Sequence, residues 1–237
     1  MAQLSVNINK IATIRNARGG NTPDVLEAAI RCQDYGAQGI TVHPRPDERH
    51  IKYQDVRDIK PNISTEFNIE GYPTDSFISL VLEVIPHQVT LVPDPPDAIT
   101  SNEGWNTKKH LDFLKKVVST FHSKGIRTSL FVDTNEENII YASKTGTNRV
   151  ELYTEPYAIQ YVLDPEKAVK PYTDAAIIAN NYGLEVNAGH DLDLNNLKFF
   201  CKKVPFIEEV SIGHALISDS LYYGLENTIQ MYLRQLK

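Results

Sequence analysis

Thr65-Glu66-Phe67-Asn68-Ile69-Glu70-Gly71 sets apolar Phe67 and Ile69 against polar Asn68 and Glu70, then frees the backbone at a glycine. A period of two reads as a strand with one apolar face, here over Thr65–Glu70. The same kind of run recurs at Leu4–Asn9, Gly39–His43, Gln88–Val92, Arg127–Asp133, Arg149–Tyr153, Leu184–Asn187 and Glu209–Gly213. Helix-like segments lie between them. Thr22-Pro23 offers an N-cap followed by proline at the first helical position, with Gly36 as the stop after Tyr35. Thr107–Lys124 carries Leu111, Leu114, Val117, Val118 and Phe121 at helical spacing and ends at Gly125. Pro165–Tyr182 ends at Gly183, with Pro171 expected to break or kink it. Tyr53–Ile59, Leu194–Lys203 and Ser218–Leu236 complete the set. Eight strands alternating with helices predict one closed parallel (β/α)8 (TIM) barrel over residues 1–237.

Strand parity predicts which side chains meet. Val6/Ile8, Ile40/Val42, Phe67/Ile69, Val89/Leu91, Leu130/Val132, Val150/Leu152, Leu184/Val186 and Val210/Ile212 form the parity that faces the helices. The inward parity is polar instead of aliphatic, with Asn7, Asn68, Ser129, Glu151, Glu185, Asn187 and Ser211 among its members. Buried carboxylates need partners, so this pattern predicts a wet, functional barrel interior.

Active sites of such barrels lie at the C-terminal strand ends. Asn7, His43, Glu70 and Glu151 stand there, and His190 and His214 follow strands seven and eight. Glu70 is the strongest single candidate, because a desolvated carboxylate suits proton abstraction near neutrality. Asn187-Ala188-Gly189-His190 and Ile212-Gly213-His214 let the backbone approach an anion closely, which suits a phosphate. Arg15 and Arg18 after strand one, and Arg45, Arg49 and His50 after strand two, suggest a second, arginine-bound phosphate.

Net charge of −6 offers no basic field for nucleic acid, and no run approaches the roughly 18 apolar residues of a membrane span. Two cysteines, Cys32 and Cys201, fit a reduced cytoplasmic protein. No phosphate-loop, dinucleotide or nucleophile-elbow motif is present. Strand one carries Asn7-Ile8-Asn9 where metal hydrolase barrels usually carry H-x-H, so no metal or cofactor is expected, although His43, His190 and His214 leave a zinc site open.

Val6–Gly19, Gly39-Ile40-Thr41-Val42-His43-Pro44-Arg45, Asp47–Ile51 and Phe67–Glu70 resemble, in order, motifs of the pyridoxine 5′-phosphate synthase family. Leu91-Val92-Pro93, Val150-Glu151-Leu152, Val186–His190 and Ser211–Ala215 continue the resemblance along the chain. It implies condensation of 1-deoxy-D-xylulose 5-phosphate with 3-amino-2-oxopropyl phosphate, closing a pyridine ring with loss of phosphate and water. By resemblance His43 and Glu70 accept protons, His190 donates one, and Glu151 stabilises the transition state. Asn7, Arg18, Asp191, Gly213 and His214 resemble the aminoketone phosphate site, and Arg45, His50 and Thr100 the deoxyxylulose phosphate site. The resemblance also implies a homo-octamer. Asn9-Lys10 stands for a common Asp-His, Asp191 for a glycine, and Ser218-Asp219 for Gly-Arg. Lys10, on the helix-facing parity, is expected to turn away from the substrates. The rival readings are another phospho-sugar isomerase or lyase on the same barrel, and a non-catalytic sugar-phosphate binder.

Overall fold

Parity governs the architecture. The computed structural model describes residues 2–94 and 103–237, and its strands close in sequence order, β1 pairing with both β2 and β8. They are β1 (Gln3–Asn7), β2 (Gly39–Val42), β3 (Glu66–Gly71), β4 (Gln88–Leu91), β5 (Arg127–Val132), β6 (Arg149–Tyr153), β7 (Glu185–Gly189) and β8 (Ile207–Ile212), all parallel. Every member of the apolar parity enters one buried cluster with the inner faces of the helices. The barrel interior is tied instead by polar side chains. Thr41 Oγ1 meets Ser5 Oγ at 2.7 Å and accepts from Asn68 Nδ2 at 3.3 Å, and Thr90 Oγ1 donates to Asn68 Oδ1 at 3.1 Å. A one-residue slip would exchange these two sets, so the buried faces specify the register.

At the N-terminal end a charged lattice closes the barrel. Arg149 Nε donates to Glu185 at 2.6 Å and its Nη1 to Gln88 at 3.1 Å, while Arg127 binds Gln88 and Glu66. Glu185, expected inside, lies on this rim with its side chain half exposed.

The helices are α1 (Asn9–Asn16), α2 (Val25–Asp34), α3 (Tyr53–Ile59), α4 (Asp75–Val84), α5 (Leu111–His122), α6 (Glu136–Ser143), α7 (Glu155–Tyr161), α8 (Pro165–Asn181), α9 (Leu197–Lys203), α10 (His214–Tyr223) and α11 (Leu225–Gln235). Several depart from the sequence expectation. Strand one stops at Asn7, because Asn7 Oδ1 accepts the Asn9 N–H at 3.1 Å and turns the chain into α1. The expected loop around Arg15 is therefore helical. The cap of α2 is Asp24, which accepts the Glu27 N–H at 2.9 Å, in place of Thr22. α8 runs unbroken through Pro171, which sits on its exposed face, where water can serve the carbonyl left without its donor. Ser218–Leu236 divides between α10 and α11 at Gly224, whose φ of 76° only glycine adopts freely.

Candidate active site

A cavity of about 420 Å³ opens at the C-terminal strand ends. Its acid–base groups come from separate strands. Asn7, ending β1, donates through Nδ2 to Glu70 Oε2 at 3.3 Å. His43 follows β2; its N–H donates to Asn9 Oδ1 at 2.9 Å, and its Nδ1 lies 3.8 Å from Glu70 Oε2. Burial, with the charges of Asp94 and Glu209, pushes the Glu70 carboxyl up to about 8. Burial beside Arg45 and His50 holds the His43 imidazole well below its usual value. The pair therefore keeps its proton on the carboxyl and leaves the imidazole neutral at pH 7. Glu151, on β6, is also raised well above the carboxylate range by burial and by Glu70; Thr90 Oγ1 reaches it at 3.5 Å.

His190 completes the ring from the end of β7. Its imidazole packs on Phe131 and Tyr153 at centroid distances of 5.5 and 5.4 Å, and burial lowers its pKa. His190 and Asp191 both have positive φ, 83° and 56°. The second value explains why glycine suits position 191, and the exposed Asp191 side chain is tolerated at the cavity rim.

Gly213 N-caps α10 directly after β8, so the free N–H groups of that helix face the cavity that Gly213 and His214 line. A Cβ on Gly213 would lie 3.1 Å from Asn7 Cβ, so glycine lets the helix start sit against β1. Arg45 and His50 line the other flank. Arg45 is buried and donates to Asp94 at 3.0 Å. His50 Nδ1 accepts the Ile51 N–H at 2.9 Å, and burial together with Arg45 and Lys10 brings its pKa down to about 4.

Other expected arginines lie elsewhere. Arg15 is buried in a bidentate pair with Asp55 at 2.6 and 2.9 Å and also donates to the His50 carbonyl at 3.0 Å. It holds the loop after β2 and is not available to a phosphate. Arg18 is exposed past α1, away from the cavity lining, and Thr100 lies outside the described residues. Lys10 corrects its expectation, since the first turn of α1 carries it to the cavity wall. Asp219 accepts from Tyr232 at 2.8 Å and belongs to the α10–α11 packing.

The sequence reading missed three contributors. Ser211 hydrogen-bonds Glu70 from β8; its inward parity was legible, but its partner was not. Glu209, two residues earlier on the same face, is buried, and burial plus Glu66 raises it to about 8. Glu155 lines the mouth from the start of α7, and nothing in its local sequence marks it. Among the described residues, no group of three or more His, Cys, Asp or Glu side chains could hold a metal ion.

Residues 4–237 match the family described as pyridoxal phosphate biosynthesis protein PdxJ. The chain belongs to the PdxJ family. The pyridoxine 5′-phosphate synthase of Parabacteroides distasonis is 66% identical to this PdxJ chain over 98% of both sequences. That of Bacteroides thetaiotaomicron is 62% identical over the same share. A 3-keto-L-gulonate-6-phosphate decarboxylase from Vibrio cholerae superposes with a TM-score of 0.69 over 99% of this chain and 97% of its own, at 10% identity, a likeness of fold alone. The family match covers nearly the whole chain, all eight strands included.

Proposed function

We propose that this PdxJ chain is a pyridoxine 5′-phosphate synthase, joining 1-deoxy-D-xylulose 5-phosphate to 3-amino-2-oxopropyl phosphate and closing the pyridine ring. The observation that carries the reading is the ring of Glu70, His43, Glu151 and His190 set between an α10 N-terminus and the Arg45–His50 flank. Two phosphorylated substrates need two anion sites, and successive dehydrations need both a base and an acid. Asn7, Asp191, Gly213 and His214 serve the aminoketone phosphate, joined by Arg18 when the segment after α1 folds over bound substrate, and Arg45, His50 and Thr100 serve the other. Neutral His43 accepts a proton released during ring closure, and Glu70, 3.8 Å away, accepts the next once it has given its own proton to a departing hydroxyl, which leaves as water. His190 starts neutral, but bound phosphate charge raises a nearby imidazole, so substrate binding arms it as a donor. Glu151, kept protonated by burial and by Glu70, donates a hydrogen bond to an oxygen that gains negative charge in the transition state.

The aminoketone brings its own primary amine, so the first imine forms between substrates and needs no enzyme lysine. We take residues 1–237 as one catalytic domain working in the cytoplasm as a homo-octamer. Exposed Val162, Leu163, Leu221 and Tyr222 supply apolar surface for assembly, and no helix among the described residues is long and apolar enough to cross a membrane. The test is to mix purified protein with both substrates and follow pyridoxine 5′-phosphate by absorbance and mass. Glu70→Gln and His190→Asn should each cost roughly 10²-fold in turnover with the fold intact. Absence of the product, or another product from either phosphate alone, would favour an isomerase or lyase instead.

A further inference from the structure

The His190-Asp191 turn places two consecutive L-residues in the left-handed region, where a side chain crowds its own backbone. Such a turn persists only where its surroundings hold it. What holds this one is hydrogen bonding to its carbonyls. Thr154, fully buried just past β6, donates its N–H to the Gly189 carbonyl at 2.9 Å and lays its Oγ1 2.6 Å from the same oxygen. The same hydroxyl also contacts the His190 carbonyl. From the other side, Asn196 Nδ2 donates to the Asp191 carbonyl at 3.0 Å, and buried Leu192 pins the chain beyond. A hydroxyl has one proton, so Thr154 sits between two carbonyls that must converge for it to serve both. Both contacts are made with His190 at positive φ.

We propose that Thr154 is a positioning residue: its hydroxyl holds the Gly189–Asp191 turn in the left-handed form that keeps the His190 ring against Phe131 and Tyr153, facing the cavity. The proposal rests on His190 being the proton donor of the reaction. The end of β6 and the residue after it then address His190 two ways, through the Tyr153 ring and the Thr154 hydroxyl. Without the hydroxyl, the Gly189 and His190 carbonyls lose its contact and the turn relaxes toward ordinary φ, carrying the ring out of its aromatic slot.

The experiment uses the full-length protein with Thr154→Ala, Thr154→Val and Thr154→Ser, alone and combined with His190→Asn. Ala and Val should lower kcat about 10-fold or more, as a misplaced catalytic group does, with KM for either substrate changed less than about 2-fold. Ser, which keeps the hydroxyl, should stay within about 2-fold of the parent. In the ligand-free protein, the His190 titration followed by NMR should move back toward ordinary histidine in Ala and Val, because the ring leaves its buried slot. On the His190→Asn background, Thr154→Ala should cost no further turnover. Normal kcat and an unmoved His190 titration in both Ala and Val would overturn the proposal. So would an equal loss on both backgrounds, or a Ser variant as impaired as Ala. If His190→Asn alone turns over normally, the donor assignment fails, and the NMR titration alone then decides whether Thr154 positions the ring. Should Ala and Val not fold, Ser alone decides: kcat within about 2-fold and an unmoved titration support the proposal, and a marked loss overturns it.

Discussion

Gly189 shows how tightly single residues are set in this site. A Cβ there would lie 2.4 Å from Glu151 Oε1, far inside contact distance, and Glu151 is buried with little room to retreat. Gly189→Ala should therefore displace the Glu151 carboxyl and lower turnover at least about 10-fold, the scale on which misplaced catalytic groups act. Steady-state kinetics with a circular dichroism check of the fold measures this, and a fully active variant would mean that Glu151 needs no fixed position. Glu70, raised to about 8 with His43 beside it, is the carboxylate that the sequence pattern singles out. Its place after an apolar alternation and before a glycine was legible. Its partners, Asn7 and Ser211, come from strands 63 residues upstream and far downstream, and only barrel closure brings them near.

At the scale of elements, the junction of β1 and α1 decides which side chains reach the cavity. Because Asn7 turns the chain after a short strand, α1 starts one residue past Ile8, and its first turn carries Lys10 to the cavity beside His50. Lys10 thus stands beside His50 on the Arg45–His50 flank of the cavity. Lys10→Arg should keep turnover within about 3-fold, and Lys10→Met should raise KM for one phosphorylated substrate by about 10-fold, near the 1.4 kcal/mol expected of one charged contact. Borohydride added during turnover, followed by peptide mass measurement, should leave Lys10 unmodified. A substrate-sized adduct on Lys10 would reassign the first step to the enzyme. The fate of Arg15 has the same origin: once residues 9–16 are helical, its side chain falls over Asp55 and is spent holding the next loop.

Across the whole molecule, the barrel holds a run of carboxyls at different depths, Glu70 and Glu151 above Glu209, all raised chiefly by burial. A carboxyl raised in the folded state binds a proton the unfolded chain has released. Its stabilising contribution is complete below the ordinary carboxylate range and is lost as pH rises through about 8. The lowered His43 and His190 act in the opposite sense, losing their contribution as pH falls through their depressed values. Glu209→Gln removes one titrating group away from the reacting atoms, so its stability should fall less between pH 5 and pH 9 than the parent's, by at least about 1 kcal/mol. Denaturant melts across that range measure the difference, and parallel curves would mean that Glu209 is ionised in the folded protein. Ser129 Oγ, Asn187 Oδ1 and Gln88 Nε2 are buried inside the same barrel without protein partners. A high-resolution crystal structure should find an ordered water within hydrogen-bonding distance of each, and a dry lumen would contradict the polar reading of the interior.

Strand alternation determined the architecture by itself, because a period of two needs no tertiary information and eight such runs with intervening helices have one common closure. The inward polar parity, the strand-end acids and histidines, and the family motifs were equally local, and apart from Glu185, drawn to the rim by Arg149, the barrel keeps that parity inside. Elements whose ends depend on capping competition or on small changes of solvent exposure were less legible: the start of α1, the cap of α2, the passage of α8 through Pro171 and the break at Gly224. Protonation states were not legible at all. Whether Glu70 holds a proton, whether Arg15 faces a phosphate or Asp55, and whether Thr154 can grip the His190 turn depend on desolvation and on partners from distant strands. Those terms exist only after the chain has closed, because burial and cross-barrel distance are properties of the assembled fold.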